Sequence, residues 1–463
     1  MEELTTASAG DLAGAIRSKE VSSAEVVAAH LARIDAVNPS LNAVVQLCAE
    51  RARSEARRAD EAVARGEELG PLHGVPITIK DSIDTAGVVT TAGTLGLAGF
   101  VPDRDATVVA RLRGAGAILL GKTNTPEMTL AFETDNLVYG RTNNPYDLAR
   151  SPGGSSGGAA AIVAAGGSPL DIGSDTGGSI RLPAHWCGIA GLKPTSGRVP
   201  RTGHRLPPGG ADDALTQLGP MGRFVGDLAL TLPIIAGVDW RDPAIVPMPL
   251  GNPGAVDLAS LRVAFHVDNG IAAPTAETAG VVREAARVLG EAGATVVEAR
   301  PPGIEETYEL LNAVWGADGG VGVETLLRAV GTSEAHWLTT QSLELMRPYA
   351  AATAADFAAV LRRWDAFRSE LLGFLEGYEL IVCPAHASPA LPHGAALDAD
   401  PAFAYTETYN LTGWPAAVVR GGTSSEGLPI GVQLVARPWR EDVALAAAQR
   451  VETALGGWTP PPL

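Results

Sequence analysis

The chain has 463 residues, of which 46% are hydrophobic and 19% are charged. This composition supports a sizeable core and excludes wholesale disorder, and the length alone allows one large domain or up to about three. The formal net charge of -17 argues against nucleic acid as the main ligand, because an acidic surface repels phosphate groups.

The three cysteines, Cys48, Cys187 and Cys383, are far apart and form no CxxC pair or Cys/His cluster with zinc-ligand spacing. The pattern therefore predicts neither a disulfide framework nor a structural zinc, and we expect no metal and no cofactor. No signal-peptide pattern opens the chain, and its apolar runs are too short to span a bilayer. We expect a cytoplasmic monomer or homodimer that acts on a small molecule.

Helical and extended patterns alternate along the chain. Near the N-terminus, apolar positions recur at helical spacing behind a cap at Ser22 or Ser23, and a second amphipathic run covers 44–65. A strand, VPITIKD, begins at Val75, and a helix, a glycine turn and a strand at 117–120 follow. Further predictions are helices at 157–165 and 281–289, a strand at 170–174, strands in LRVAFHV, ATVVEA, ELIVCPA and LPIGVQLVA, and a closing helix, EDVALAAAQRVETAL. This alternation predicts an α/β architecture with helices packed around a sheet.

Two short motifs match well-known patterns, and both matches fail on their context. The segment GAILLGKT, at 116–123, satisfies the phosphate-loop pattern GxxxxGK[ST], but its middle residues are themselves an apolar strand and a proline follows shortly. The segment GSSGG, at 154–158, fits the nucleophile elbow GxSxG, which would make Ser156 the nucleophile. The preceding residues, DLARSPG, do not form the strand that such an elbow requires.

Two glycine-flanked serine sites, in SPGGSSGG and SDTGGSIR, together suggest a catalytic site with a serine nucleophile. Without Cβ atoms, Gly177 and Gly178 allow successive backbone N–H groups to converge beside Ser179, as an oxyanion hole requires. A serine nucleophile also needs a base, and the sequence links no histidine to it. Lys80 ends an apolar strand, and desolvation there would lower its pKa enough to give a neutral amine.

These residues resemble the amidase signature family. The resemblance runs from about 72 to 442 through the motifs GVPITIKD, GKTNTPE, NPYD, SPGGSSGG, GSDTGGSIRLPA, GLKPT, GPMGR, NLTGWPA and LPIGVQLVARPWRED. It implies a single domain over 1–463 with a central mixed β-sheet surrounded by helices. Within it we expect an N-terminal helical segment at 1–70, a catalytic core at 71–200 and a variable region at 303–400 that shapes the substrate pocket.

The resemblance also implies roles for individual residues. Lys80 would be the base, Ser155 the bridging serine after a cis peptide bond, and Ser179 the acylated nucleophile of a Ser-cisSer-Lys triad. The oxyanion hole would consist of the backbone amides of Thr176, Gly177, Gly178 and Ser179. Substrate would also contact Thr129 and Ser155. Supporting positions, for which a structural ion pair and a turn hydroxyl are equally good explanations, are Ser156, Asp175 and Arg181.

The implied activity is hydrolysis of an amide-type C–N bond through an acyl-enzyme, and the substrate would be an amide, anilide, carbamate or ester. Urethanase and aryl acylamidase activities fall within this range, and the chain resembles stand-alone amidases such as those of the fatty acid amide hydrolase type. One alternative is the A-type subunit of a tRNA-dependent amidotransferase, although ADDALTQLGP departs from the serine–leucine–aspartate–glutamine stretch usual there. A non-catalytic binding protein on the same fold is a further alternative, disfavoured because all three catalytic positions are occupied.

The sequence does not identify the pocket walls. The large apolar residues of the variable region could line an apolar pocket, but ordinary core packing is favoured for Trp315, Trp337, Trp364 and Met346. Arg420 stands where a proline is common in the family, and it could lie near the pocket or on the surface.

Overall fold

The computed structural model describes residues 2–206 and 210–463. Within them the α-helices are α1 (Glu2–Thr6), α2 (Ala9–Ser18), α3 (Ser23–Leu41), α4 (Ala49–Arg65), α5 (Thr107–Gly114), α6 (Gly157–Ala164), α7 (Arg181–Trp186), α8 (Gly210–Leu215), α9 (Val225–Ile235), α10 (Ala276–Glu291), α11 (Thr307–Trp315), α12 (Val321–Ala329), α13 (Trp337–Met346), α14 (Ala354–Phe374), α15 (Ala404–Leu411) and α16 (Glu441–Leu455). The strands are β1 (Val44–Leu47), β2 (Pro76–Lys80), β3 (Ile118–Thr123), β4 (Leu170–Asp175), β5 (Ala190–Lys193), β6 (Gln217–Gly222), β7 (Arg262–Phe265), β8 (Thr295–Glu298), β9 (Leu380–Pro384), β10 (Ala416–Thr423) and β11 (Pro429–Ala436).

The strands form two sheets, of which the larger is mixed. Its order is β4-β6-β5-β10-β11-β9-β7-β8, with β7 parallel to both neighbours and β10 antiparallel to both of its own. The smaller sheet has the order β1-β3-β2, with β2 and β3 parallel. The predicted α/β class with a mixed sheet surrounded by helices is therefore confirmed. The strand that ends in Lys80 belongs to the smaller sheet, which the sequence did not distinguish.

Helix α6 connects the two sheets. It packs against β4 and β6 of the larger sheet and against all three strands of the smaller one, and each of its eight residues is buried. Small residues suit this position, since its sequence, GGAAAIVA, lets backbones on several sides approach closely. The residues just before α6 are consequently held at the junction of the sheets.

Most local predictions are confirmed, and one is wrong. Ser22 caps α3 with a capping box to Glu25, and α16 covers the predicted closing segment. The run at 44–65, however, is not one helix, because its first four residues pair with β3 as strand β1 and the helix begins only at Ala49. Four residues are too few for the helical and extended periods to be told apart. No helix of the described ranges is long and apolar enough to cross a membrane.

Candidate active site

Lys80 lies at the end of β2 with its side chain completely buried. Its Nζ lies 2.7 Å from Ser155 Oγ, 3.0 Å from Ser156 Oγ and 2.9 Å from Ser174 Oγ. Burial lowers the pKa of Lys80 well below its ordinary value, and the charges of Asp175 and Asp171 oppose this shift only in part. The environment therefore favours a neutral amine surrounded by hydroxyl groups.

The hydrogen-bond capacities of this cluster suit the neutral amine. An ammonium group has three donors and no acceptor, whereas the neutral amine has two N–H groups and one lone pair. Ser156 Oγ donates a hydrogen bond to the carbonyl oxygen of Ser174 at 3.3 Å. The lone pairs of Ser156 Oγ can therefore accept a hydrogen bond from Lys80. Ser155 Oγ has no other partner among the described residues, so its hydrogen can point to the lone pair of Lys80.

Ser155 and Ser156 are positioned by the turn that leads into α6. The Gly154–Ser155 peptide bond is cis. A Cβ on Gly154 would lie 2.7 Å from the carbonyl carbon of Phe132, so only glycine fits against this neighbouring loop. The backbone N–H of Ser156 donates to the carbonyl oxygen of Ser179 at 3.2 Å and links the two serine segments.

Ser179 lies in the loop that joins β4 to α7 and is 5% exposed. None of the backbone N–H groups of Thr176, Gly177, Gly178 and Ser179 donates to an acceptor among the described residues. Gly178 has a φ of 136°, and a Cβ there would lie 2.2 Å from Thr406 Oγ1, so this conformation requires glycine. The loop thus presents four unengaged amides beside a serine hydroxyl.

A buried ion pair fixes both ends of this loop. Arg181 donates to Asp175, with Nη2 and Oδ1 2.8 Å apart, and both side chains are completely buried. Burial raises the pKa of Asp175, but the charge and hydrogen bonds of Arg181 outweigh it and bring the pKa to about 2. Arg181 also donates to Gln433 Oε1 at 2.7 Å, and Asn410 donates to Asp175 Oδ1 at 2.8 Å. These contacts place Asp175 and Arg181 in the frame of the loop.

The sequence missed Ser174, Thr406, Asn410 and Gln433 as parts of the site. Thr406 Oγ1 donates to the carbonyl oxygen of Gly177 at 2.7 Å, from helix α15 on the far side of the loop. Asn410 belongs to the NLTGWPA motif, and Ser174 lies on the predicted strand β4, so the motif and the alternation of strand faces were signals that could have found these two.

Ser179 opens onto a cavity with mainly apolar walls. An adjoining cavity of about 520 Å³ shares part of that wall. The residues that line both are Thr129, Leu130, Thr176, Trp315 and Met346. Thr129, the predicted substrate-contacting position, has a φ of 63° and a side-chain oxygen without a hydrogen-bond partner among the described residues. The variable region and the loops around Thr129 and Ser179 therefore meet at this wall.

The four large apolar residues of the variable region have different positions. Trp315 and Met346 line the cavities beside Ser179, and both are also packed in the interior, because Met346 is buried and Trp315 packs against two buried clusters. Core packing is the role of Trp364, which lies in a buried cluster and donates its indole N–H to the carbonyl oxygen of Leu411. Trp337 is 44% exposed. Sequence position alone could not separate these cases, because the walls come from distant segments.

Other candidate residues from the sequence lie outside the cluster of Lys80, Ser155 and Ser179. Arg420 donates to the carbonyl oxygen of Gly457 at 2.7 Å and lines neither cavity. His185 accepts from the backbone N–H of Gly431 and contacts the carbonyl oxygen of Ser388, so both ring nitrogens are engaged. Lys122, in the phosphate-loop match, lies on β3 and donates to the carbonyl oxygen of Ile83.

Residues 25–445 match the sequence model of the family described as Amidase. The chain is 38% identical to the A-type subunit of the Glutamyl-tRNA(Gln) amidotransferase of Chloroflexus aggregans, over 94% of each protein. It is 36% identical to the Acylamidase of Rhodococcus erythropolis, over 96% of this chain and 94% of that protein. The solved structure of 6-aminohexanoate cyclic dimer hydrolase complexed with substrate is 31% identical, with a TM-score of 0.86 and 98% of each chain covered.

The chain belongs to the amidase signature family. It is an enzyme of the class that hydrolyses carbon–nitrogen bonds, as the family match and the hydrolases among its relatives indicate.

Proposed function

We propose that the chain is a stand-alone amidohydrolase of small molecules that acts through Lys80, Ser155 and Ser179. The observation that carries this proposal is the buried Lys80 amine, which lies within 3.0 Å of three serine hydroxyls. Next to it, the loop at 176–179 offers backbone amides with no other acceptor among the described residues. Together these features supply a base, a relay and a place for a negatively charged oxygen.

The reaction proceeds by acyl transfer. Neutral Lys80 takes the proton of Ser155 as Ser155 takes the proton of Ser179, and Ser179 Oγ attacks the carbonyl carbon. The resulting oxyanion accepts hydrogen bonds from the amides of the 176–179 loop. The proton then returns through Ser155 to the leaving nitrogen as the C–N bond breaks. Water repeats the sequence on the acyl-enzyme, which releases the acid and restores Ser179.

The step from Ser155 to Ser179 requires a local adjustment. No hydrogen bond joins the two hydroxyl oxygens in this structure, although the backbone N–H of Ser156 bonds to the carbonyl oxygen of Ser179. Hydrogen bonds between catalytic groups are often looser without substrate and tighten when it binds. Rotation of the Ser179 hydroxyl toward Ser155 is the change that we expect.

The cavity walls favour amides with apolar groups. Phe132, Trp315 and Met346 all line the cavity beside Ser179, and apolar walls with few polar groups are typical of sites for small molecules. Similarity to an Acylamidase and to 6-aminohexanoate cyclic dimer hydrolase supports amide substrates. We include anilides, carbamates and esters in the proposed range.

A second candidate is the A-type subunit of a tRNA-dependent amidotransferase. The 38% identity to such a protein from Chloroflexus aggregans favours it. The segment ADDALTQLGP, which departs from the stretch usual in those proteins, argues for the stand-alone enzyme instead. The two candidates differ in whether the chain needs partner chains for turnover.

We further propose that the enzyme works in the cytoplasm as a monomer or homodimer. Its cysteines support a reducing compartment, because Cys48, Cys187 and Cys383 are all unpaired and the last two are buried.

The test is turnover by the purified protein alone. Anilides, carbamates, esters and short amides should be screened, and the acylated enzyme should be digested to find the modified peptide by mass spectrometry. We expect turnover without partners and an acyl group on Ser179. Activity that appears only with partner chains and aminoacyl-tRNA would overturn the proposal in favour of the amidotransferase.

A further inference from the structure

The cavity beside Ser179 contains a carboxyl group that the reaction does not use. Glu407 lies on α15, and its side chain is only 4% exposed. Its Oε2 has no hydrogen-bond partner among the described residues, and no ion pair there includes Glu407. Buried carboxyl groups are almost always paired or hydrogen-bonded. This one therefore lacks a partner that an incoming molecule could supply.

Glu407 is close to the reacting atoms. It lines the same cavity as Ser179 and Gly177. A Cβ built on Gly177 would lie 3.7 Å from Glu407 Cγ, so the stem of this side chain packs against the loop that carries the unengaged amides. One molecule bound in this cavity can therefore contact both Glu407 and Ser179.

The charges around Glu407 favour a cation. Asp400 lines the same cavity, and its Oδ2 accepts a hydrogen bond from Tyr308 at 2.7 Å. No lysine, arginine or histidine is among the described residues that line this cavity. Arg181, the cation whose charge reaches Glu407, is already bonded to Asp175. Two carboxyl groups therefore share a poorly hydrated space without a positive charge of their own.

The raised pKa of Glu407 also indicates that no positive charge is paired with it. Burial, together with the charge of Asp400, holds the pKa of Glu407 well above its usual range, and Arg181 opposes this shift only in part. A bound ammonium would provide N–H donors and a positive charge, which stabilise the carboxylate form. The apolar walls formed by Phe132 and Met346 would accommodate the methylene groups that carry the ammonium.

We propose that Glu407, with Asp400 in the same cavity, is a specificity-determining site that binds the ammonium group of amide substrates bearing a basic amine. This inference rests on the proposed attack by Ser179 and specifies the substrate class of that site. It assigns to Glu407 a role in selecting the substrate, whereas the bond-breaking steps remain with the three catalytic residues.

The experiment measures covalent labelling of the full-length protein by paired fluorophosphonates. The two probes of each pair have alkyl chains of equal length, one ending in ammonium and the other in methyl. Labelling rates give a preference ratio, ammonium over methyl, for the wild type, Glu407→Gln and Glu324→Gln. Glu324 is the matched control, because it has the same carboxyl group, its side chain is 43% exposed and it lines neither cavity.

We expect a wild-type ratio above one for at least one chain length. Glu407→Gln should lower it at least about tenfold, because the amide oxygen can accept a hydrogen bond from the ammonium but carries no negative charge to pair with it. Glu324→Gln should leave the ratio unchanged, and circular dichroism should show that both variants fold. Asp400→Asn should lower the ratio less than Glu407→Gln, because Asp400 is already bonded to Tyr308.

The inference would be overturned by equal labelling of wild type with both probes at every chain length, or by a preference that survives in Glu407→Gln. Its failure is distinct from failure of the proposed function. Labelling with the expected ratio but no turnover of any amide, carbamate or ester would overturn the hydrolase alone. If Ser179 accepts no probe at all, both proposals fall.

Discussion

The catalytic core and the variable region of the chain are packed in very different ways. Every residue of β2, β4 and α6 is buried, and Lys80 at the end of β2 donates a hydrogen bond to Ser174 on β4. In the variable region, α12 has one buried residue, Leu327, and α14 has three among 21. The proposed reaction thus depends on a region with little freedom to change, whereas the pocket wall comes from helices that are attached along one face.

Because of this difference in packing, we expect the core to determine the rate of the reaction and the pocket wall to determine substrate selectivity. In the core, one replaced side chain leaves buried partners unsatisfied, so effects on catalysis or folding should be large. In the wall, a replacement alters the shape of the cavity and should change which substrates bind well. Substitutions in the core should therefore have larger effects on the rate than substitutions in the wall.

Ser179→Ala should have the largest effect. Removal of the nucleophile should lower turnover on the order of 10⁶-fold or to the detection limit, and labelling by a serine-reactive phosphonate should disappear. The measurements are kcat/KM on an anilide and mass spectrometry of the labelled protein.

Ser156→Ala is the matched control for this substitution. Ser156 also contacts Lys80, but two other hydroxyls remain within 2.9 Å of its Nζ. Labelling should therefore persist in this variant. The opposite pattern, with labelling lost in Ser156→Ala and kept in Ser179→Ala, would show that the nucleophile elbow is the correct interpretation.

Lys80→Met should come next, with a loss of at least about 10²-fold in kcat/KM, the lower end for a general base. The variant keeps an apolar stem of similar length, so the buried site remains filled. In the wild type, kcat/KM should rise with pH through the pKa of Lys80, because only the neutral amine accepts a proton. Since burial lowers this pKa, the rise should be complete well below the pH at which an exposed lysine titrates.

The pH profile of Lys80→Met decides the identity of the base. Labelling of Ser179 should also slow in this variant, since the same relay activates Ser179 toward any electrophile. A folded variant with a near-normal rate and the same alkaline limb would identify another base. His204 would then be the first suspect, because its Nε2 is buried without a hydrogen-bond partner among the described residues. Burial lowers the pKa of His204, and Lys80 is the nearby group that contributes next.

The same contrast explains what the sequence could predict. The motifs around Lys80, Ser155 and Ser179 marked the core, because a buried reaction site demands particular residues at fixed places. Strand β1 was missed since four residues carry too little periodicity. The position of Glu407 could not be predicted either, because its cavity forms only when loops near Ser179 and the variable region come together. Local pattern therefore predicts the core, and long-range packing determines the wall.

Arg181→Ala should reduce stability. It leaves Asp175 buried without its main counter-charge, which typically costs about 3–5 kcal/mol. The pKa of Asp175 is lowered in the folded state, so the ion pair stabilises the fold above the ordinary carboxyl pKa and is lost as pH falls toward about 2. Urea unfolding near neutral pH measures the change in the free energy of unfolding.

An exposed ion pair of the variable region provides the comparison. Arg363 and Glu306 lie 2.9 Å apart with side chains 46% and 49% exposed. Arg363→Ala should cost no more than about 1 kcal/mol, since water and salt screen such pairs. Equal losses in Arg181→Ala and Arg363→Ala would contradict the contrast between the two regions.

Trp315→Ala should have the smallest effect on the reaction and the clearest effect on selectivity. Trp315 lines both cavities near Ser179, so its removal should raise KM for anilides with bulky apolar groups about tenfold, while kcat/KM for the smallest amides changes little. Trp337→Ala is the control, because Trp337 is 44% exposed and lines neither cavity. The measurement is kcat and KM over a series of acyl sizes. A uniform fall in kcat for all substrates would show that Trp315 supports the catalytic loops, and the separation of wall from core would then fail at this residue.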